Sequence, residues 1–173
     1  MRKLILVLFT ALLAVPALAV AGSPPTPAES AAAQKQCRAE LTAMTAGPFK
    51  LLYGTNASKS NAFGKCVSKR ASANAQNDAN ASAQCRTEQS ADSAAFALKY
   101  GLGPQHKNAF GRCVSLKSKA AANAQVNATI NASKQCWTER KADPAAFKAK
   151  YGTNASKSNA FGKCVSLKVK HSG

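Results

Sequence analysis

Six cysteines carry the most reactive side chains in this sequence. The nearest two, Cys66 and Cys85, are 19 residues apart. Zinc sites use close C-x2-C or H-x3-H pairs, whereas an even number of widely spaced cysteines is typical of a disulfide framework in an oxidising compartment. We therefore predict three disulfides, no bound metal and no cofactor. The cysteines are Cys37, Cys66, Cys85, Cys113, Cys136 and Cys164.

Groups suited to acid–base or nucleophilic catalysis are scarce. A Ser or Cys nucleophile needs a positioned base, and the only histidines are His106 and His171, which we interpret as exposed. Of the seven acids, Glu40, Glu88 and Glu139 each follow a cysteine by three residues. Ion pairs with nearby Lys or Arg explain these acids better than a pair of glycosidase carboxylates does. The sequence therefore predicts a protein that is not an enzyme.

Basic residues give the one broad functional signal. The chain has 24 Lys and Arg against 7 Asp and Glu, a net charge of +17. Such a charge favours contact with polyanions, although dispersed lysines also keep a surface soluble. Sparse Arg, few aromatic residues and the lack of a known DNA-binding motif argue against sequence-specific recognition of nucleic acid. The candidate anion-binding residues are Lys59, Lys65 and Lys69, which we match to Lys107, Arg112 and Lys117 and to Lys157, Lys163 and Lys168.

A repeated pattern must position these groups. The residues YGTNASKSNAFGKCVS occupy 53–68 and again 151–166, and a looser copy occupies 100–115. In all three copies the Tyr lies 13 residues before the Cys. Fixed spacing of this kind marks one structural unit used three times.

Each copy predicts two helices. In the third copy, Asp143 supplies an N-cap with Pro144 at the first helical position, and Gly152 is expected to end this short helix in a left-handed conformation. Asn159 is expected to cap a second helix. Gly162 is a poor helix former inside that second helix, so we expect a neighbouring ring or backbone to approach it closely.

The segments between the copies decide how the cysteines pair. Neither 71–83 nor 120–134 contains Gly or Pro, so we expect both to be helical, with a flexible spacer as the alternative. Helical linkers would separate their flanking cysteines by roughly 28 and 35 Å, whereas a disulfide spans at most about 7 Å between Cα atoms. The favoured pairing is therefore local: Cys37–Cys66, Cys85–Cys113 and Cys136–Cys164.

A longer pattern, F-x3-YG-x6-NAFG[KR]CVS, starts at Phe49, Phe96 and Phe147. Through it the chain resembles uncharacterised secreted bacterial repeat proteins over most of 36–168. The resemblance implies export and a modular organisation. It implies no activity, ligand or catalytic residue.

The amino-terminal residues have the features of a secretory signal peptide. A short basic start precedes an apolar stretch at 4–15, and small residues suit cleavage after Ala19 or Ala21. After removal of 1–21, no apolar stretch approaches the ~20 residues of a membrane span. We therefore expect a secreted, periplasmic or cell-envelope protein.

Trp137 is the sole tryptophan and stands where the other two copies have Arg. Packing beside the cystine is its ordinary use, and an exposed platform for stacking a sugar or base is the alternative.

The predicted fold is all-α, with three disulfide-stapled repeats joined by helical linkers. The favoured function is non-enzymatic binding to an anionic envelope or extracellular polymer or surface, and the alternative is a structural spacer with no specific ligand. The predicted parts are a signal peptide (1–21), a flexible Pro/Ala-rich segment (22–35), the first repeat (36–70), a linker (71–83), the second repeat (84–119), a linker (120–134) and the third repeat (135–173).

Overall fold

The structure is a computed structural model that describes residues 24–171. Over that range the chain forms seven α-helices and no strand, which confirms the all-α prediction. The predicted signal peptide lies outside the described residues. The helices are α1 (Pro27–Met44), α2 (Ala46–Tyr53), α3 (Ala62–Ala91), α4 (Ser93–Tyr100), α5 (Ala109–Ala142), α6 (Pro144–Tyr151) and α7 (Ala160–His171).

Four of these helices, α1, α3, α5 and α7, pack in chain order, each antiparallel to the next. One disulfide clamps each neighbouring pair, with 6.0 Å between the two Cα atoms in every case. The short helices α2, α4 and α6 lie within the connections that these disulfides close. The predicted local pairing is confirmed as Cys37–Cys66, Cys85–Cys113 and Cys136–Cys164.

Both predicted linkers are helical, because α3 and α5 run without interruption through 71–83 and 120–134. Midway along, Asn77 and Gln125 join the two helices by two hydrogen bonds of 3.1 and 3.3 Å. Since α3 and α5 are antiparallel, the first and third repeats lie at one end of the bundle and the second repeat lies at the other. Contacts of α2 with α5 and α7 bring the first repeat against the third.

The prediction of a flexible segment at 22–35 is wrong from Pro27 onward, where α1 begins. Thr26 and Glu29 form a capping box that satisfies the first turn of this helix. Asn74 of α3 donates a 3.3 Å hydrogen bond to the Glu29 carbonyl, and Ala33 is completely buried. Capping and docking on α3 together explain the order of a segment whose composition suggested none.

Three small hydrophobic clusters form the core, one at each disulfide. In each, a Phe and a Tyr one turn apart pack with their ring centroids 4.9–5.0 Å apart. The clusters of the first and third repeats are not independent, because Leu52 packs against both and Leu51 packs against the third. The predicted cap at Asp143 is confirmed by bonds of 3.0 and 2.9 Å from the amides of Ala145 and Ala146.

Two predictions about glycine are wrong. Gly152 ends α6 with a φ of −76°, so it needs no left-handed conformation. Glycine is needed at this position because there is no room for a side chain: an added Cβ would lie 2.7 Å from the Lys148 carbonyl oxygen and from the Lys157 side chain. Conversely, nothing comes within 4 Å of a Cβ added at Gly162. No neighbour explains that glycine.

The predicted cap at Asn159 is also wrong, and the equivalent Asn61 of the first repeat shows the same arrangement. Asn61 precedes α3 but makes no capping hydrogen bond. Its side chain instead accepts a 3.0 Å bond from the Thr55 amide and donates a 2.7 Å bond to the Thr55 hydroxyl. Asn159 holds Thr153 in the same way at 3.1 and 2.7 Å. These asparagines therefore close the loop rather than cap the helix.

Candidate anion-binding surface

Two of the candidate lysines, Lys59 and Lys157, stabilise the loops in which they lie. Lys59 and Lys157 adopt positive φ angles of 58° and 55°. Each ammonium group donates a 2.9 Å hydrogen bond to the carbonyl that ends the preceding short helix, at Gly54 and Gly152 respectively. An ammonium group held in this way is partly satisfied within the protein, which weakens both residues as free anion ligands.

The second repeat departs from this arrangement. Counted back from the second cysteine of each repeat, the residue equivalent to Lys59 is His106, which also has a positive φ of 48°. The match of Lys59 to Lys107 is therefore wrong by one residue, and Lys107 is exposed. His106 is half-buried rather than exposed, whereas His171 at the end of α7 is exposed as predicted.

A cluster of Glu, Tyr and a cation recurs beside each disulfide. In the second repeat, Glu88 accepts a 2.8 Å hydrogen bond from the Tyr100 hydroxyl and forms a 2.7 Å ion pair with Lys117. The hydrogen bond from Lys117, with help from Tyr100, lowers the pKa of Glu88 to about 2. The cluster leaves 35% of the Glu88 side chain exposed.

The third repeat has the same cluster. Glu139 accepts from Tyr151 at 2.8 Å and pairs with Lys168 at 2.7 Å. The Lys168 hydrogen bond is the main cause of a lowered pKa at Glu139. The prediction that Glu88 and Glu139 form ion pairs with nearby lysines is confirmed. Because Lys117 and Lys168 are the lysines in these pairs, neither is free to bind a ligand.

The first repeat buries its version of the cluster. Glu40 is fully buried and pairs with Arg70, and the Tyr53 hydroxyl donates a hydrogen bond to the Glu40 carboxylate. Arg70 also donates a 2.9 Å hydrogen bond to Thr129 of α5, which lies over the cluster. Burial raises the pKa of Glu40, and the positive charge of Arg70 opposes that rise.

Sequence reasoning missed Arg70 because it matched Lys69 to the wrong residues. Four positions after the second cysteine, the three repeats carry Arg70, Lys117 and Lys168. Lys69 is one residue earlier, is exposed, and lies 5.9 Å from the centroid of the Tyr53 ring. The sequence did contain a sign of this buried pair, because Arg70 stands where the other two repeats have Lys, and Arg is favoured in buried ion pairs.

The remaining candidates lie on the surface. Lys65, Arg112 and Lys163 occupy the same position, one residue before the second cysteine of each repeat, and all three are exposed. Arg112 also donates a 2.9 Å hydrogen bond from Nε to the Tyr100 carbonyl. Lys65 and Lys163 are therefore the most accessible matched pair among the predicted residues.

The fold concentrates positive charge at one end. The first and third repeats, 36–70 and 135–171, carry 14 Lys and Arg against 3 Asp and Glu, a net charge of +11. The second repeat, 84–119, carries 6 against 2, a net charge of +4. Because the first and third repeats meet, most of the net positive charge of the three repeats lies at one end of the bundle, which we call the basic end.

Trp137 lies at the contact between the first and third repeats. Its ring meets Phe161 edge-on at 6.4 Å between centroids, and it packs against the third cluster. Gly47 of the first repeat faces the ring, where an added Cβ would lie 3.5 Å from it. Arg140 and Lys141 sit 5.3 and 5.5 Å from the ring centroid. Packing is therefore the role that the structure gives Trp137.

Within residues 24–171, no group of three or more His, Cys, Asp or Glu is placed to hold a metal ion. No helix in the same range has the length and apolar composition of a membrane span. Comparison of the chain with protein-family models, with curated proteins and with solved structures gives no match. Three disulfides with no free cysteine in the described part are typical of proteins from oxidising compartments.

Proposed function

We propose that this is an exported, non-enzymatic protein that binds an anionic polymer of the cell envelope or the extracellular medium through its basic end. The observation that carries the proposal is the net charge of +11 where the first and third repeats meet. Several weak cationic contacts on one rigid body bind a polyanion far more tightly than any single contact does.

Export is part of the same proposal. The basic and apolar start of the sequence supports it, as does the disulfide framework, because disulfides persist where thiols are not kept reduced. The resemblance of the repeat pattern to secreted bacterial repeat proteins also favours it. The polymer that it binds would then be one found outside the cytoplasm.

A spacer function is less well supported. A spacer gains length when successive repeats extend away from one another. Here the chain folds back at each disulfide, so a bundle with a longest helix of 34 residues spans only about 50 Å. The folded-back arrangement of the repeats therefore favours a protein that binds through its surface over one that acts as a spacer.

Retention by polyanions at increasing salt tests the proposal. Duplex DNA of arbitrary sequence and long-chain polyphosphate serve as probes. Lys65→Gln with Lys163→Gln removes two exposed charges from the basic end, and Arg86→Gln with Lys107→Gln removes two exposed charges from the other end. Removing one cation that neutralises a phosphate lowers the slope of log affinity against log salt by roughly 0.7–0.9.

We expect the slope to fall by about twice that amount in the basic-end variant, and by much less in the variant at the other end. Affinity should not depend on DNA sequence. Equal reductions in the two variants would mean that the lysines serve only solubility, and no salt dependence in the parent protein would exclude polyanion binding.

A further inference from the structure

A cavity of about 480 Å³ lies between α1, α3 and α5, away from the basic end. Each helix contributes one face to it. From α5 the lining includes Gly111, Ser115 and Lys119 and, beside them, a row with a spacing of four residues: Phe110, Val114, Ser118 and Ala122. Such a row forms one continuous stripe along a helix, and its members here are mainly apolar. The volume falls in the range of pockets that hold small molecules, roughly 300–1,000 Å³.

Four side chains that line this cavity and could accept a hydrogen bond make none within the described part of the chain: Asp78, Ser82, Ser115 and Ser118. Ser118 is only 8% exposed, and its hydroxyl has no hydrogen-bond partner in the described part of the chain. Asp78, which is half-buried, likewise has no ion pair or hydrogen bond there. By contrast, Asn74 and Gln36, which also line the cavity, satisfy each other through two hydrogen bonds of 3.2 and 3.3 Å. The Ser118 hydroxyl oxygen is accessible from the cavity rather than sealed in the interior, so a ligand there can form a hydrogen bond with it.

The charge of the cavity is opposite to that of the rest of the protein. Five of the seven acids are engaged elsewhere, in the Glu–Tyr–cation clusters or as helix caps. The remaining two, Glu29 and Asp78, both line this cavity, where Lys119 is the single cation. Glu29 is occupied in the capping box, which leaves Asp78 as the acceptor for a ligand.

We propose that this cavity binds a small organic cation, with an ammonium group on an apolar body. The ammonium donates to the Asp78 carboxylate and to the Ser118 hydroxyl, and the apolar body packs along Phe110 and Val114. Such a ligand differs in charge and location from the polyanion of the proposed function, so either can fail without the other.

Titration calorimetry of the oxidised protein with three probes of matched shape tests the proposal. The probes are 4-phenylbutylamine, 4-phenylbutanol and 4-phenylbutyrate. We expect the amine to bind most tightly and the carboxylate least. Asp78→Asn should weaken the amine about tenfold, as expected for removal of one charge-assisted hydrogen bond, and should leave the alcohol unchanged.

Ala32→Trp places a large ring on the exposed part of the cavity lining and should remove binding of the amine and the alcohol. Ala31→Trp, one residue earlier, is also exposed but does not line the cavity, and it should bind as the parent does. Circular dichroism and thermal melting establish that each variant is folded. The proposal is overturned if no probe binds saturably, if the carboxylate binds as well as the amine, or if Asp78→Asn and Ala32→Trp leave amine binding intact.

Discussion

Glu40 and Arg70 form a buried ion pair between α1 and α3. The side chain of Glu40 is 0% exposed and that of Arg70 is 8% exposed. The equivalent pair in the second repeat, Glu88 with Lys117, remains partly exposed at 35% and 29%. The difference arises because α5 crosses over the first cluster, where Thr129 bonds to Arg70.

Breaking the buried pair should be far more damaging than breaking its exposed counterpart. Arg70→Met leaves the Glu40 carboxylate buried without a cation, and we expect it to lower the free energy of unfolding by about 3–5 kcal/mol. Lys117→Met, the matched control, should lower it by less than about 1 kcal/mol. Guanidinium chloride unfolding of the oxidised protein measures both. Equal effects would contradict the burial of the Glu40–Arg70 pair.

The pKa of Glu88 gives a prediction about pH. Its folded-state pKa of about 2 lies below the ordinary value of 4.5, so the stabilisation it supplies is present above pH 4.5 and is lost as the pH falls toward 2. Carboxyl carbon NMR should show Glu88 titrating near that value. Lys117→Met should return the pKa most of the way to 4.5, and Lys107→Gln, a charge change outside the cluster, should not. An unshifted Glu88 in the parent protein would rule out the cluster.

Contact between the first and third repeats predicts unequal effects of two leucine substitutions. Leu52 packs against both hydrophobic clusters, whereas Leu98 on the equivalent short helix of the second repeat is 67% exposed. We expect Leu52→Ala to lower the free energy of unfolding by about 2–3 kcal/mol, and Leu98→Ala to change it by less than about 0.5 kcal/mol. Denaturant unfolding measures the difference. If both are neutral, the two repeats do not meet in solution.

Glycines should divide into two kinds. A Cβ added at Gly101 would collide with the backbone of Ala97 and His106, so Gly101→Ala should destabilise the protein by about 1–3 kcal/mol. Gly64 lies within α3 with nothing within 4 Å of an added Cβ, so Gly64→Ala should stabilise it by about 0.5–1 kcal/mol. Thermal melting gives the sign of each change. Destabilisation by Gly64→Ala would contradict the open space around it.

The local elements could be predicted from the sequence because their causes are local. Linkers without Gly or Pro were sufficient to predict that α3 and α5 are continuous, and the length of these helices then predicted the disulfide pairing. An Asp before a short apolar run was sufficient to predict where a short helix begins. Predictions failed at residues whose side chains can form more than one kind of local hydrogen bond. Asn61 can cap a helix or hold a loop, and only the position of Thr55 decides between them.

The arrangement of repeats could not be predicted, because it depends on contacts distant in sequence. Two signals were nevertheless present. Leu52 stands where the other repeats have Lys, and Arg70 stands where they also have Lys. Each substitution marks a site that the fold buries against another helix, and both lie in the repeat that packs against α5 and its neighbours.

The disulfide at each turn also determines how the protein would respond to tension. Force applied across the chain passes from helix to helix through the cystines, along 66–85 of α3 and 113–136 of α5. The short helices and their loops lie off this path. Each closed segment, whose two cysteines are 28 or 29 positions apart in sequence, therefore holds roughly 90–100 Å of chain that stretching alone cannot extend. Under tension, the oxidised protein can therefore extend only outside the three segments closed by disulfides. These segments can extend only after a reductant has cleaved the disulfides.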